Sequence, residues 1–434
     1  MGGDLLETAD ALWTGALAIE DHHPFEQWGE LAELDPSTAF VVAFANVSGF
    51  ATAEGLVLVD TGSPFLAEWC HRAVRRWSDR PLSTAVFTHG HIDHVFGMDR
   101  YEAEAAEHGW PPPRVVAHEA VPARFDRYIL TAGYNAAVNR RQFRVPDLEW
   151  PTDYRYPDVT YRDRFRLEVG GEHFELHHAR GETDDHTWVW VPARRVLCTG
   201  DLFIWASPNC GNPQKVQRYP LEWATALRAM ADLDAEVLLP GHGLPIVGGD
   251  RVRRALTETA ELLESLHDQA LALMNEGARL DTLVHSVRAP QHLLERPYLR
   301  PVYDEPEFVV HNVWRLYGGW WDGNPAHLKP APEAALAAEV ASLSGGPGRL
   351  AERALALADG GDLRLAGHLA EWAALAAPDD PAVRAAHAEV FERRVADASS
   401  TMARGVFGWA ATGSREAGAS GGEGIPADGP APEH

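Results

Sequence analysis

The string THGHIDH, Thr88–His94, brings His89, His91, Asp93 and His94 into one short segment. Imidazole nitrogen and carboxylate oxygen are ligands that zinc prefers, at about 2 Å and in near-tetrahedral sets. The residues just ahead, STAVF, read as a buried strand. A loop leaving that strand can aim His89 and His91 at one ion while Asp93 and His94 reach a second. Two ions need more ligands. Glu182 in ARGETDD, Asp201 in CTGDLF and His242 in LPGHG each follow an apolar run and supply them. The spacing points to a centre of two metal ions, expected to be zinc; such ions can activate a water, which Asp93 and Asp201 are expected to orient.

Residues so far apart need elements that bring them to one place. TAFVVAFANVSGFATAEGLVLVD (Thr38–Asp60) alternates as paired strands do, and it ends on Asp60 and a turn. At that position Asp60 is read as a group orienting a metal-binding histidine from behind. Pro64–Trp77 carries helical spacing; HFELHHARGETDD and WVWVPARRVLCTGD are strands, the second folded back at PAR; AEVLLPGHG is another. Repeatedly a strand delivers a polar side chain at its C-terminal end, which indicates α/β layering with the site at the strand ends. Asp250–Gly277 is predicted as one amphipathic helix closed by Gly277. Residues 286–330, rich in Pro, Trp and Tyr, read as irregular. Residues 331–410 read as Ala/Leu-rich helices punctuated by GGPG, DGGD and PDDP. The last residues are Gly, Ala, Ser, Pro and Glu, a composition expected to stay disordered.

Composition narrows the partners. The 434 residues carry a formal net charge of −25, which repels nucleic acid and anionic lipid, so neither is expected as a partner. Against that field an anionic small-molecule substrate needs a local basic pocket. Cys70, Cys198 and Cys210 form no CxxC pair and no disulfide framework. The N-terminal MGGDLLETADALW has neither a basic nor an apolar stretch of a signal peptide, and no apolar run approaches the ~20 residues of a membrane span. A cytoplasmic protein is expected.

The order HxHxDH, G-E-T, T-G-D, G-H-G resembles the metallo-β-lactamase fold, which implies an αββα sandwich. Carried over residue by residue, the resemblance implies that His89, His91 and Glu182 hold one ion, that Asp93, His94 and His242 hold the other, and that Asp201 bridges them. Where that family usually has His, this chain has Glu182, as the alkylsulfatase branch does. His186, four residues on, is the competing ligand and otherwise a group behind the site or facing substrate. RLYGGWWDGNPAHLKP (Arg315–Pro330) and GGDLRLAGHLAEWAALAAPDDPAVRAAHAEV resemble the alkylsulfatase dimerisation domain, which implies a homodimer. The expected organisation is a catalytic domain over residues 1–285, a helical dimerisation domain over 286–412 and a disordered tail over 413–434.

The resemblance also has departures. The further lipid-binding domain that such enzymes often carry is expected to be missing, and the arginine that contacts sulfate has no match in SPNCGNPQKVQRYP, where Pro213 or Gln214 falls. Lys215 and Arg218 are the cations that stand in, weighed against plain surface charge. In GYNAAVNRRQF, Tyr134, Asn135, Asn139 and Arg141 offer donors for an anion, weighed against a helix whose asparagines face solvent. The leading expectation is hydrolysis of an alkyl sulfate ester to alcohol and sulfate. Hydrolysis of a lactone, thioester or phosphoester is the alternative, and a non-catalytic scaffold is a third.

Overall fold

A computed structural model describes residues 2–26 and 30–419. Thirteen strands among them form two sheets. The first contains β1 (Glu30–Asp35), β2 (Thr38–Val42), β3 (Val47–Thr52), β4 (Gly55–Val59), β5 (Leu82–Val86), β6 (Arg114–His118) and β7 (Val159–Tyr161), side by side in chain order. β1 to β4 run as an antiparallel meander, and β4 to β7 pair in parallel. Parallel neighbours need a crossover, and helices Ala67–Trp77 and Met98–His108 supply it on either side of β5. The second sheet holds β8 (Arg164–Val169), β9 (Glu172–His178), β10 (Thr187–Val191), β11 (Val196–Ile204), β12 (Val237–His242) and β13 (Ile246–Val247). Only β11 and β12 in it are parallel, joined through helix Pro220–Ala231.

Burial explains why these strands read as unbroken apolar runs. Every residue of β4, β10 and β11 is buried, because one face of each sheet carries helices and the other meets the opposite sheet. Between the sheets the rings of Phe50 on β3 and Phe174 on β9 meet edge to face, with centroids 5.4 Å apart. Outside the first sheet, Cys70, Ala73 and Val74 of helix Ala67–Trp77 and Met98 and Tyr101 of helix Met98–His108 pack in one core with Val41, Leu56, Leu58 and Ala85. Outside the second, Trp223 donates its indole N–H to Leu202 O at 2.8 Å and seats helix Pro220–Ala231 on β11. The αββα sandwich is present, and helix Gly249–Asn275 lies where Asp250–Gly277 was predicted.

The chain divides into two compact units. Among the described residues one comprises 2–135 and 149–320, the other 136–148 and 321–419. Residues 286–330, expected to be irregular, include the thirteen-residue helix Pro306–Gly318, whose Val309, Val310 and Val313 are buried. Its helical spacing was masked in the sequence by the prolines and aromatics around it.

Within the second unit, five helices from Glu333–Ser344 to Thr401–Ala419 pack through small residues such as Ala354, Ala366, Ala370 and Ala373. Asp362 and Asp380 cap two of them, the latter accepting from the amides of Ala382 and Val383; such caps contribute about 1 kcal/mol each. The tail expected over 413–434 is corrected at its start, because helix Thr401–Ala419 runs through it. Buried Ser414 anchors that turn on His387 Nδ1 at 2.8 Å, a side-chain contact that composition does not reveal. Residues 420–434 lie outside the described residues. No helix among the described residues is long and apolar enough to cross a membrane.

Candidate metal centre

The site begins at the end of β4. Asp60 takes a left-handed backbone with φ +60°, tolerated by Asp better than by most residues, and this turns its carboxylate toward the end of β5. There it accepts hydrogen bonds from Thr88 N–H at 2.7 Å, Thr88 O–H at 2.8 Å and His94 Nδ1 at 2.7 Å. The Thr88 hydroxyl, spent as a donor to Asp60, faces His89 Nδ1 at 3.0 Å as an acceptor. His242 donates Nδ1 to Phe44 O. Each of these three rings therefore has its Nδ1–H committed outward, leaving Nε2 with a lone pair directed inward. Asp60 acts as the sequence suggested, from behind the histidines.

Seven donor atoms converge in two groups. His89, His91, Glu182 and Asp201 form one, Asp93, His94 and His242 the other, each with its ligand atoms within 4.8 Å of one another. In the first, Glu182 Oε2 lies 3.4 Å from His89 Nε2 and 3.3 Å from His91 Nδ1, while the two imidazole nitrogens are 2.8 Å apart. In the second, Asp93 Oδ2 lies 3.7 Å from His94 Nε2 and 3.6 Å from His242 Nε2. Asp201 reaches across, with Oδ1 at 3.3 Å from His94 and Oδ2 at 3.2 Å from His242 and 3.9 Å from His89. Ligands bound tetrahedrally at about 2.0–2.2 Å stand about 3.3–3.6 Å from one another, close to most of these separations. His94 Nε2, Glu182 Oε2 and Asp201 Oδ1 are buried without a hydrogen-bond partner, and all three face the centre. Orphaned atoms of this kind are what a bound cation satisfies. The residues fit metal ions.

Charge agrees with that role. Burial pushes the carboxyls of Glu182 and Asp201 up, but His91 and Arg218 around the first and His242 and His94 around the second outweigh it, and both lie well below the ordinary range. Burial outweighs the pull of Glu182 on His91 and holds it down to about 4. Burial also opposes charge on His94 and His242, yet the carboxylates of Asp201 and its neighbours win and raise both. A metal ion taken up here displaces those protons.

Around Glu182 the sequence reading needs correction. Arg218, offered as a sulfate contact, is buried: Nη1 donates to Glu182 O and Nη2 lies 3.4 Å from Glu182 Oε1. It holds a candidate ligand in place. Asn209 Nδ2 donates to the same Oε1, which leaves Oε2 for the centre. His186, read as a competing ligand or else as a group behind the site or facing substrate, is fully buried behind it, and its Nε2 accepts from Asp201 N–H at 3.1 Å. It supports the chain under Asp201. Lys215 stays turned to the site, its ammonium 5.6 Å from the Trp150 ring centre and within electrostatic reach of Asp93 and Glu182. Tyr134 is exposed; buried Asn135 donates to Thr131 Oγ1 at 2.9 Å. Asn139, also buried, and Arg141 belong to the second unit. Burial of both asparagines excludes a helix that merely turns them to solvent.

Two supports escaped sequence reading. Asp185 accepts from Gly90 N–H at 3.1 Å and from Arg124 Nε at 2.6 Å, fastening the peptide between His89 and His91 to the Glu182 loop. A Cβ on Gly90 would come within 2.8 Å of Arg124 Cδ. Gly241, ahead of His242, is tighter: a Cβ there would stand 2.0 Å from Asp201 Oδ1. Gly241→Ala is expected to push that carboxylate off both groups and weaken metal binding about 10- to 100-fold, measured by competition with a chelating dye. Unchanged affinity would mean that β12 moves aside at little cost.

Comparison with known proteins agrees with this geometry. The model of the metallo-beta-lactamase superfamily matches residues 33–242, and that of alkyl sulfatase dimerisation matches residues 279–417. A linear primary-alkylsulfatase of Pseudomonas sp. (strain ATCC 19151) is 28% identical over 368 residues, 78% of this chain and 68% of that protein. An (R)-specific secondary-alkylsulfatase of Pseudomonas sp. is 27% identical over 377 residues, 80% of this chain and 57% of that protein. The solved structure of the stereoselective inverting sec-alkylsulfatase Pisa1 from Pseudomonas sp. superposes with a TM-score of 0.80 at 25% identity, over 92% of this chain and 66% of that one. The chain thus spans from just over half to about two thirds of the length of these relatives.

Proposed function

This chain belongs to the metallo-β-lactamase superfamily, in its alkylsulfatase branch of metal-dependent hydrolases, and on that premise we propose that it cleaves an alkyl sulfate ester to alcohol and sulfate with two zinc ions. The observation that carries the reading is a pair of ligand groups meeting at Asp201, with Glu182 beside His89 and His91. In this reading His89, His91 and Glu182 hold one ion, Asp93, His94 and His242 the other, and Asp201 bridges. Zinc held there would lower the pKa of water to about 7 and so make hydroxide available at neutral pH. The chain's own residues do the rest. Asp93 and Asp201 orient the attacking water, Asp60 and Thr88 fix the imidazoles, and Lys215 holds the anionic sulfate group. The match over residues 279–417 supports a homodimer, with the catalytic part assigned to 1–285 and the dimerisation part to 286–412. A cytoplasmic setting is part of the same proposal.

The test is sulfate release, by ion chromatography, from zinc-reconstituted protein given primary and secondary alkyl sulfates, with Asp93→Ala as the blank. Release well above the blank supports the proposal. Two bound zincs without release move the substrate to a lactone, thioester or phosphoester; no bound metal returns the scaffold reading. Hydrolysis in oxygen-18 water then separates attack at carbon, with label in the alcohol, from attack at sulfur, with label in the sulfate.

Lys215 adds a pH signature. Burial and the neighbouring Arg218 hold its ammonium down to about 8, so the charge is present below that pH and is lost as pH rises through it. Lys215→Met is expected to raise KM about 10- to 100-fold, the worth of one hydrogen bond to a charged group. KM of the unaltered enzyme should climb between pH 7 and 9, and KM of Lys215→Arg should not. A flat profile in both would remove Lys215 from substrate binding.

A further inference from the structure

Glu182 is held by a loop that is itself held from an unexpected quarter. Asn209 and Arg218, the two side chains on Glu182 Oε1, bracket the irregular stretch between β11 and helix Pro220–Ala231. That stretch is fastened at two points to residues 304–315. Near its start, Gly211 N–H donates to Asp304 Oδ2 at 2.6 Å, and Gly211 sits so close to helix Pro306–Gly318 that a Cβ would stand 2.2 Å from the Phe308 carbonyl carbon. Near its end, the side-chain amide of Asn312 grips the peptide of Arg218 on both sides. Asn312 Oδ1 accepts from Arg218 N–H at 3.2 Å, and Asn312 Nδ2 donates to Arg218 O at 3.1 Å. The same Oδ1 accepts from Gln217 Nε2 at 2.8 Å and lies 3.3 Å from Arg315 Nη2. Asn312 is buried, so these bonds do not compete with bulk water.

We propose that Asn312 is a positioning residue for the metal held by His89, His91 and Glu182, acting through Arg218. The dimerisation match covers Asn312, yet its contacts assign the residue to the metal centre of its own chain. The physical reason is the division of labour at the carboxylate. With Oε1 occupied by Asn209 and Arg218, only Oε2 is presented to the ion, and the bond from Arg218 Nη1 to Glu182 O fixes the backbone from which it projects. If Arg218 shifts, both constraints loosen together. Asn209 and Arg218 bond to Glu182 and not to Asp93, His94 or His242, so that second group should not feel the loss of Asn312.

The inference rests on the proposed metal centre, and its test reads metal affinity in the absence of substrate. Metal-free full-length protein is titrated with zinc against a chelating dye, as unaltered chain, Asn312→Leu and Asn312→Asp. Loss of partners behind a ligand weakens metal by about 10- to 100-fold. Asn312→Leu is therefore expected to weaken one of two zinc sites by that factor and leave the other unchanged. Asn312→Asp keeps the acceptor for Arg218 N–H but loses the donor to Arg218 O, and should fall between. If the leucine variant does not fold by circular dichroism, the aspartate variant decides by the same titration. Two sites of unaltered affinity in the folded variants, or equal weakening of both sites, would overturn the proposal. An unaltered chain that binds no zinc would remove the metal centre itself and this inference with it.

Discussion

Asp201→Ala is expected to leave neither zinc bound at stoichiometric level and to slow sulfate release by on the order of 10³-fold or more. Asp201 is the residue whose carboxylate reaches both groups, with one oxygen 3.3 Å from His94 and the other 3.2 Å from His242 and 3.9 Å from His89. Its removal strips each group of an anion, and with it the strongest pull that favours positive charge at His94 and His242 against burial. Removing one preorganised electrostatic group from an active site costs about 10²–10³ in rate, and here water activation is lost as well. Asp201→Asn keeps shape and one oxygen acceptor and should fall between. Metal analysis after gel filtration, beside ion chromatography of sulfate, makes the measurement. An alanine variant that kept two metals per chain and its turnover would remove Asp201 from the centre.

The second large effect concerns folding. Arg124→Met is expected to destabilise the protein by about 3–5 kcal/mol, the usual cost of leaving one partner of a buried ion pair alone. Arg124 is 2% exposed and Asp185 fully buried, so no solvent screens the pair. Burial pushes the Asp185 carboxyl up, while Arg124 and His89 pull it well below its ordinary value of 3.8. A depressed carboxylate contributes stability that is complete above the unfolded value and is lost as pH falls through the folded one. The gap between the two proteins in urea should therefore be widest near neutrality and should narrow below about pH 4. Asp185, released from Arg124, holds the peptide between the candidate ligands His89 and His91 less firmly, so zinc affinity should fall alongside stability. A gap under about 1 kcal/mol at neutral pH would show that water or a nearby donor replaces Arg124.

The contrast between legible and illegible residues has a physical basis. His89, His91, Asp93, His94, Glu182, Asp201 and His242 stood out because each follows or closes an apolar strand, and such strands announce themselves by composition alone. The structure gathers all seven. Asp60 was readable for the same reason. Arg218 was misjudged because a sequence records that a side chain is charged, not whether a partner already holds it. The links Arg124–Asp185 and Arg218–Asn312 join segments 61 and 94 residues apart, and no periodicity marks either. Gly241 carried no signal in the sequence, because the reason that no Cβ fits lies on a neighbouring strand. Helix Pro306–Gly318 was hidden by the aromatic and proline content of its surroundings, and the last turns of helix Thr401–Ala419 by small residues that suit a linker equally well.

Four of the seven candidate ligands come from the loop after β5 in the first sheet, and the other three from the strand ends of the second. Neither sheet has a full set. A growing polypeptide could offer an ion only the cluster at residues 89–94 until the segment ending at His242 had been synthesised and folded against it. Metal uptake would then be a late event in the birth of the protein, and occupancy would certify that both halves had found each other. A chain stalled or misfolded in its second half would remain unloaded and therefore inert, so that an incomplete product could not begin to act on sulfate esters.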